Sequence, residues 1–357
     1  MQRPHFGITK ILASLMLLGL MLSLSTFANA QYTLTVLTAD QTGKAPNTDP
    51  NLINPWGISF SSTGDFWVSD NNSGLSTLYD SNGVPQSLVV TIPSASGTGL
   101  GTPTGTVFNA TTGFVVKSGT KSGAALFLFD SEDGVISGWN PIVAPTAAVV
   151  AVNNSSEGAV YKGMEIADNG TGSHLYLANF FAGTIEVYDS TFKPVSLGGT
   201  FTDARLPAGF APHNIRNING QMYVAYAKQN ATKTDAVPGA GLGIVDIFDL
   251  SGNFVKRFAI KGSLNAPWGL TAATASFGQF SNDILVGNLG DGKITAFDPT
   301  SGANLGQLSN SRGPLAISGL WALQFGNGGS GGLTNVLYVT AGPTAYKHGR
   351  FASIAAQ

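Results

Sequence analysis

Cysteine is absent from all 357 residues. Its absence excludes disulfides, a lipid-carrying cysteine, a thiol nucleophile and thiolate metal ligands, so the fold must be held by its own core. Charge is scarce as well: 18 Lys and Arg with 20 Asp and Glu make 11% of the chain, where roughly 25% is usual. That rules out a charged helical rod. The weak negative balance, a formal net charge of −2, lacks the basic face that nucleic acid selects. There is no Gly-x-Ser-x-Gly elbow, no His-Glu-x-x-His and no phosphate loop ending in Gly-Lys-Ser/Thr, so the familiar motifs of serine hydrolases, zincins and nucleotide hydrolases are missing. After residue 30 no apolar run is long enough to span a bilayer.

What the chain has in plenty is glycine, 46 residues, about one in eight and nearly twice the usual share. With 43% apolar residues and strands rich in Val, Thr, Phe and Tyr, the composition suits an all-β fold with a packed core. The first thirty residues stand apart. Arg3 and Lys10 precede an uncharged apolar stretch from Ile11 to Leu24, and Ala28-Asn29-Ala30 supplies small residues at a cleavage position. This pattern predicts a secretory signal peptide cleaved after Ala30 and a secreted or periplasmic protein. Residues 31–357 are expected to form a single soluble, monomeric domain.

The chain repeats itself, and the repeat predicts the fold. Six segments open successive units: Asn54-Pro55-Trp56-Gly57-Ile58, Thr102-Pro103-Thr104-Gly105-Thr106, Val160-Tyr161-Lys162-Gly163-Met164, Ala211-Pro212-His213-Asn214-Ile215, Ala266-Pro267-Trp268-Gly269-Leu270 and Gly319-Leu320-Trp321-Ala322-Leu323. A second element, an aromatic residue followed by Asp, recurs at Tyr79-Asp80, Phe129-Asp130, Tyr188-Asp189, Phe248-Asp249 and Phe297-Asp298. Here Asp is expected to close hairpins through its side chain. Between the two elements lies one further strand per unit, expected at Phe114–Lys117 in the second. Units of about 50 residues with four short strands predict a six-bladed β-propeller. The last unit lacks its outermost strand, and Tyr32–Thr38 alternates as a strand, so the N-terminal strand is expected to complete that blade and close the ring.

The run from Asn54 to Gly83 resembles an NHL repeat. More narrowly, residues 31–342 resemble an uncharacterised family of secreted bacterial proteins built from six such repeats. The likeness runs through Glu132–Asn140, Gly158–Gly163, Pro207–Pro212, Tyr226–Gln229 and Gly319–Gly329. The resemblance implies a six-bladed propeller and no established activity. Some members carry a sorting tail beginning Pro-Glu-Pro, whereas this sequence ends Ala355-Ala356-Gln357.

Propeller topology gathers the long connections on one face, and three rings of residues follow from the repeat. With Gly57, Gly105, Gly163, Asn214, Gly269 and Ala322 as register marks of the repeat, the residues just before them are Trp56, Thr104, Lys162, His213, Trp268 and Trp321, a candidate floor for a planar ligand or a sugar, or else a plug packed between blades. Two residues after the mark, Glu165 and Arg216 in adjacent blades are expected to face the axis and pair, as a structural ion pair or as a base held by an arginine. The third ring ends the second strands: Asp70, Ser118, Asn179, Tyr226, Asn288 and Ala341. Asp70, Asn179 and Asn288 are candidate oxygen ligands for Ca²⁺, which takes about six to eight hard donors, and Tyr226 is a candidate ligand contact. No other cofactor is expected. The leading functional expectation is a non-catalytic propeller binding a glycan, small molecule or protein on its loop-rich face. The alternative is an axial-site hydrolase or lyase of the lactonase-like type, Ca²⁺-assisted, with Glu165, Arg216 and His213 as catalytic candidates.

Overall fold

Short alternating segments form strands, and Asp side chains turn the chain between them. The structure, a computed structural model, describes Met1 and residues 31–357; the expected signal peptide, over residues 2–30, lies outside the described residues. Asp80 Oδ1 accepts hydrogen bonds from the Asn82 and Val84 amides at 2.8 and 2.9 Å, and Asp189, Asp249 and Asp298 hold their hairpins in the same way. These polar closures let apolar strands pack on both faces without leaving turn amides unpaired.

The strands assemble as a six-bladed β-propeller. The innermost strands are Pro55–Ser59, Pro103–Phe108, Tyr161–Asp168, Phe210–Ile218, Pro267–Ala272 and Leu320–Phe325. Each touches the innermost strand of the next blade, and the sixth touches the first. Antiparallel neighbours extend each blade outward. Between blades lie apolar clusters, such as Tyr176, Val187, Met222 and Val224 between blades 3 and 4, and Trp67, Phe127 and Trp139 between blades 1 and 2.

Ring closure is non-covalent. Tyr32–Ala39 pairs antiparallel with Arg350–Ala356, from Tyr32 opposite Ala356 to Ala39 opposite Arg350. The Tyr32 ring packs on Phe277 at 5.0 Å and Phe280 at 6.0 Å, and its hydroxyl donates to the Phe277 carbonyl at 3.0 Å. At the other end Asp40 accepts from the Gly349 amide at 3.0 Å and pairs with His348 Nδ1 at 2.7 Å. The first and last segments are thereby clasped at both ends of one ladder.

Blade 2 departs from the expected register. Its second strand is Phe127–Ser131, paired with Pro103–Phe108. Residues Val115–Ser118 and Lys121–Ala124 form a separate hairpin inserted between the two strands. Asp130 is therefore a buried strand residue instead of a hairpin closure, and Ser131 takes the place expected of Ser118 at the strand end. Blade 3 also differs: it has three regular strands, Tyr161–Asp168, Ser173–Asn179 and Thr184–Asp189.

Asp130 Oδ1 accepts from Thr104 Oγ1 at 2.9 Å and the Gly105 amide at 2.5 Å, while Oδ2 is buried without a partner among the described residues. Burial pushes its carboxyl up to about 6, against the downward pull of those hydrogen bonds.

Two predictions follow from closure and burial. Tyr32→Ala should lower the unfolding free energy by about 3 kcal/mol, read by urea denaturation; a loss below about 1 kcal/mol would mean that the ring closes without this anchor. For Asp130, the folded carboxyl holds its proton well above the ordinary aspartate range, so its ionisation opposes folding. Its contribution is most favourable below pH 4 and is lost as pH rises through 6, by about 3 kcal/mol in all. Asp130→Asn, which copies the protonated form, should remove that slope, so the variant gains on the native chain between pH 4.5 and 7.5. Parallel stability curves would show that Asp130 is ionised throughout.

Candidate functional site

Because the six innermost strands run in the same sense, the residues preceding the register marks gather toward one mouth of the axis; five converge there, while Thr104 is held by Asp130 and the Tyr161 carbonyl. Three of these residues are tryptophans, and they meet. Trp56 and Trp321 stack with ring centroids 3.5 Å apart and planes 19° apart, and Trp268 stands edge-on to both at 6.1 and 5.8 Å. Trp268 Nε1 donates to the Lys162 carbonyl at 2.7 Å and Trp321 Nε1 to Asn54 Oδ1 at 3.0 Å. Trp56 Nε1 is buried without an acceptor among the described residues, one unmet donor in an otherwise satisfied layer.

Below this layer the axis is nearly filled, with a void of about 20 Å³ lined by residues including Trp268, Met164 and Arg216. Glu165 and Arg216 face one another here, with Arg216 Nε 3.7 Å from Glu165 Oε2. Glu165 also accepts from the Ile166 and Asn217 amides at 2.9 and 3.0 Å, and Arg216 donates to Gln324. The pair is thus tied into the walls of three blades.

Above the layer a cleft of about 490 Å³ opens on the loop-rich face, and Trp56, Trp321, Lys162 and His213 line it. Lys162 is 1% exposed. Its ammonium pairs with Glu132 and, at 3.3 Å, with Asp235, and lies 5.1 Å from the Trp56 ring. The Asp235 side chain is 68% exposed, so the charge presented to solvent is acidic. His213 Nδ1 sits 2.9 Å from the Pro267 carbonyl. A carbonyl only accepts, so Nδ1 carries the proton and Nε2 is a bare acceptor. Burial, with the Lys162 charge nearby, holds the imidazole down to about 3. It is neutral at physiological pH.

An asparagine belt supports the rim. Asn54 Nδ2 donates to Asn71 Oδ1 at 3.2 Å and Asn72 Oδ1 at 3.0 Å, Asn71 Nδ2 to Glu132 at 2.9 Å, and Asn72 Nδ2 to the Tyr346 carbonyl at 2.8 Å. Glu132, Asp235 and Tyr346 join the site unannounced by the repeat, since all three come from loops between second and third strands, while Asn54 opens the first repeat segment.

Other expected residues lie elsewhere. Thr104 is fully buried, donating to Asp130 Oδ1 and to the Tyr161 carbonyl at 3.1 Å. Tyr226 is buried in the apolar layer between blades 3 and 4, its hydroxyl unpartnered among the described residues. Of the proposed Ca²⁺ ligands, Asp70 Oδ2 accepts from Thr77 at 2.7 Å, Asn179 Oδ1 from the Val160 and Ala182 amides, and Asn288 Oδ1 from the Asn265 amide at 3.0 Å. These oxygens serve their own blades, and burial holds the Asp70 carboxyl well above its usual range. Among the described residues no three His, Asp or Glu side chains converge as metal donors would.

No family profile matches the chain. Two uncharacterised proteins of Acanthamoeba polyphaga mimivirus do. One is 36% identical over 295 residues, covering 80% of this chain and 72% of the relative; the other is 36% identical over 304 residues, covering 83% and 79%. Among solved structures, the chain is similar to a glucose dehydrogenase (TM-score 0.53, 12% identity, 91% of this chain and 100% of that one). It is also similar to a streptogramin B lyase (0.51, 11%, 91% and 98%) and to a gluconolactonase from Xanthomonas campestris (0.51, 12%, 91% and 90%). At these identities the likeness shows the fold alone. The relatives named are viral, where the resemblance of the repeats implied a bacterial family. The sequence identity, sustained over most of both chains, shows that this protein belongs to one family with these two mimivirus proteins.

Proposed function

We propose that the protein is a binding propeller whose axial cleft takes a neutral, hydroxyl-rich ligand with a flat apolar face, the chemistry of a sugar ring. The observation that carries this reading is the composition of the cleft. The buried Trp56–Trp321 stack, 4% and 2% exposed, underlies the partly exposed Tyr346 ring of the cleft, which lies 5.9 Å from Trp321, and beside it stand acceptors: the Asp235 carboxylate, the remaining lone pairs of Glu132 and, deeper, His213 Nε2. Aromatic faces suit the C–H side of a pyranose, and carboxylates accept from its hydroxyls. An anion has little to gain, because Lys162 already spends its charge on Glu132 and Asp235.

The hydrolase or lyase reading has less support. Arg216, which pairs with Glu165, lines the small axial void, and that void shares no lining residue with the cleft that His213 lines. An imidazole held down to about 3 is a weak base at neutral pH. Function outside the cytoplasm is part of the proposal and rests on the leader pattern of residues 1–30.

Titrating the full chain with glucose, galactose, mannose and N-acetylglucosamine while following tryptophan fluorescence tests the reading. At least one neutral sugar should shift the emission saturably, and Asp235→Asn should weaken it by about fivefold, as expected for one exposed charge-assisted hydrogen bond of about 1 kcal/mol. No saturable change with any of these neutral sugars, or a response only to cationic glucosamine titrated beside them, would overturn it.

A further inference from the structure

Beside the axial cleft lies a second one of about 440 Å³, on the same face between blades 5 and 6. The two are not independent: Pro238, Leu289, Ala345 and Tyr346 line both. Those four residues form a low apolar ridge with a cavity on either side. The far cavity adds the Asp291 carboxylate and Ser318 to the apolar surface of Ala316. It repeats the character of the first: an apolar wall, a carboxylate and no uncompensated cation, since the neighbouring Lys293 ammonium lies 3.7 Å from Asp291.

The ridge is built at a cost. Thr344, Ala345 and Tyr346 have φ of 58°, 53° and 65°, a left-handed turn of three residues that are not glycine. Each such residue costs about 1–2 kcal/mol, and a run of this kind persists only where its surroundings over-determine it. Here Asn72 holds the Tyr346 carbonyl at 2.8 Å and the Tyr346 amide donates to Gly342 at 3.2 Å. The turn sets the Tyr346 ring 5.9 Å from Trp321, so the aromatic surface of the first cleft continues over the ridge toward the second.

We infer that the two clefts are adjoining subsites for one elongated ligand, an oligosaccharide of at least two rings, with Tyr346 beneath the linkage. The inference rests on the sugar-binding reading of the first cleft and adds to it the length of the ligand.

The same fluorescence titration, run with each neutral monosaccharide and its β-linked disaccharide, separates the two. For at least one sugar the disaccharide should bind about tenfold tighter than its monosaccharide. Ala316→Trp, which fills the second cleft with a bulky side chain at an exposed position, should bring that ratio to one; Asp291→Asn should reduce it about threefold, a fraction of one charge-assisted hydrogen bond. Monosaccharides that bind as well as their disaccharides would overturn the inference and leave the first cleft's reading intact, as would a disaccharide preference that survives Ala316→Trp. Absence of binding by every sugar would overturn both.

Discussion

Around the propeller axis the innermost strands approach so closely that several positions have no room for a side chain. A Cβ on Gly57 would stand 2.6 Å from the Thr104 carbonyl oxygen, one on Gly105 2.7 Å from the Met164 amide nitrogen, and one on Gly269 2.7 Å from the Trp321 carbonyl oxygen. Real Cβ atoms do not tolerate such contacts, so glycine at four of the six register marks lets the innermost strands converge on one axis, with Asn214 and Ala322 at the other two. The repeat visible in the sequence is the record of that convergence. All but one of the residues before the marks, Thr104 being the exception, then gather at the axis mouth, and their size decides whether the channel stays open.

Three tryptophans close it. Their rings satisfy one another by stacking and edge-on contact, and two of their three N–H groups find acceptors in other blades. The layer divides the axis into a nearly filled lower part and an open cleft above. This division separates groups that sequence spacing places close together: Glu165 and Arg216 fall below, Lys162 and His213 above. A mechanism joining Arg216 to His213 would have to pass through the aromatic layer.

The blades, the closing strand and the tryptophan floor were legible because each is periodic or alternates. What was lost is what mimics or escapes the period. Phe129-Asp130 has the form of a hairpin closure and the inserted hairpin at Val115–Ala124 has the form of a second strand, so blade 2 reads one strand out of step. Tyr226 pairs with Pro212 as Asp70 pairs with Pro55, but its strand runs on to Lys228 and its side chain joins the apolar layer between blades, and spacing alone does not say which face of a strand is buried. Glu132, Asp235 and Tyr346 come from connections without period. For Tyr346 no signal exists at all, because nothing in Pro343-Thr344-Ala345-Tyr346 announces a left-handed turn.

The polar rim has a structural role that bears on its chemistry. Tyr346 of blade 6 receives Asn72 of blade 1; Asn71 of blade 1 reaches Glu132 of blade 2; and Glu132 and Asp235, from blades 2 and 4, both hold Lys162 of blade 3. Trp268 of blade 5 donates to the Lys162 backbone, so a single connected network touches every blade. A buried ammonium stripped of such partners costs about 3–5 kcal/mol, so these acids are required to keep the floor together before any ligand arrives. That requirement fixes the electrostatic character of the cleft. Its cation is consumed internally, its surplus is acidic, and its free groups are acceptors, so what enters must bring hydrogen-bond donors and an apolar face.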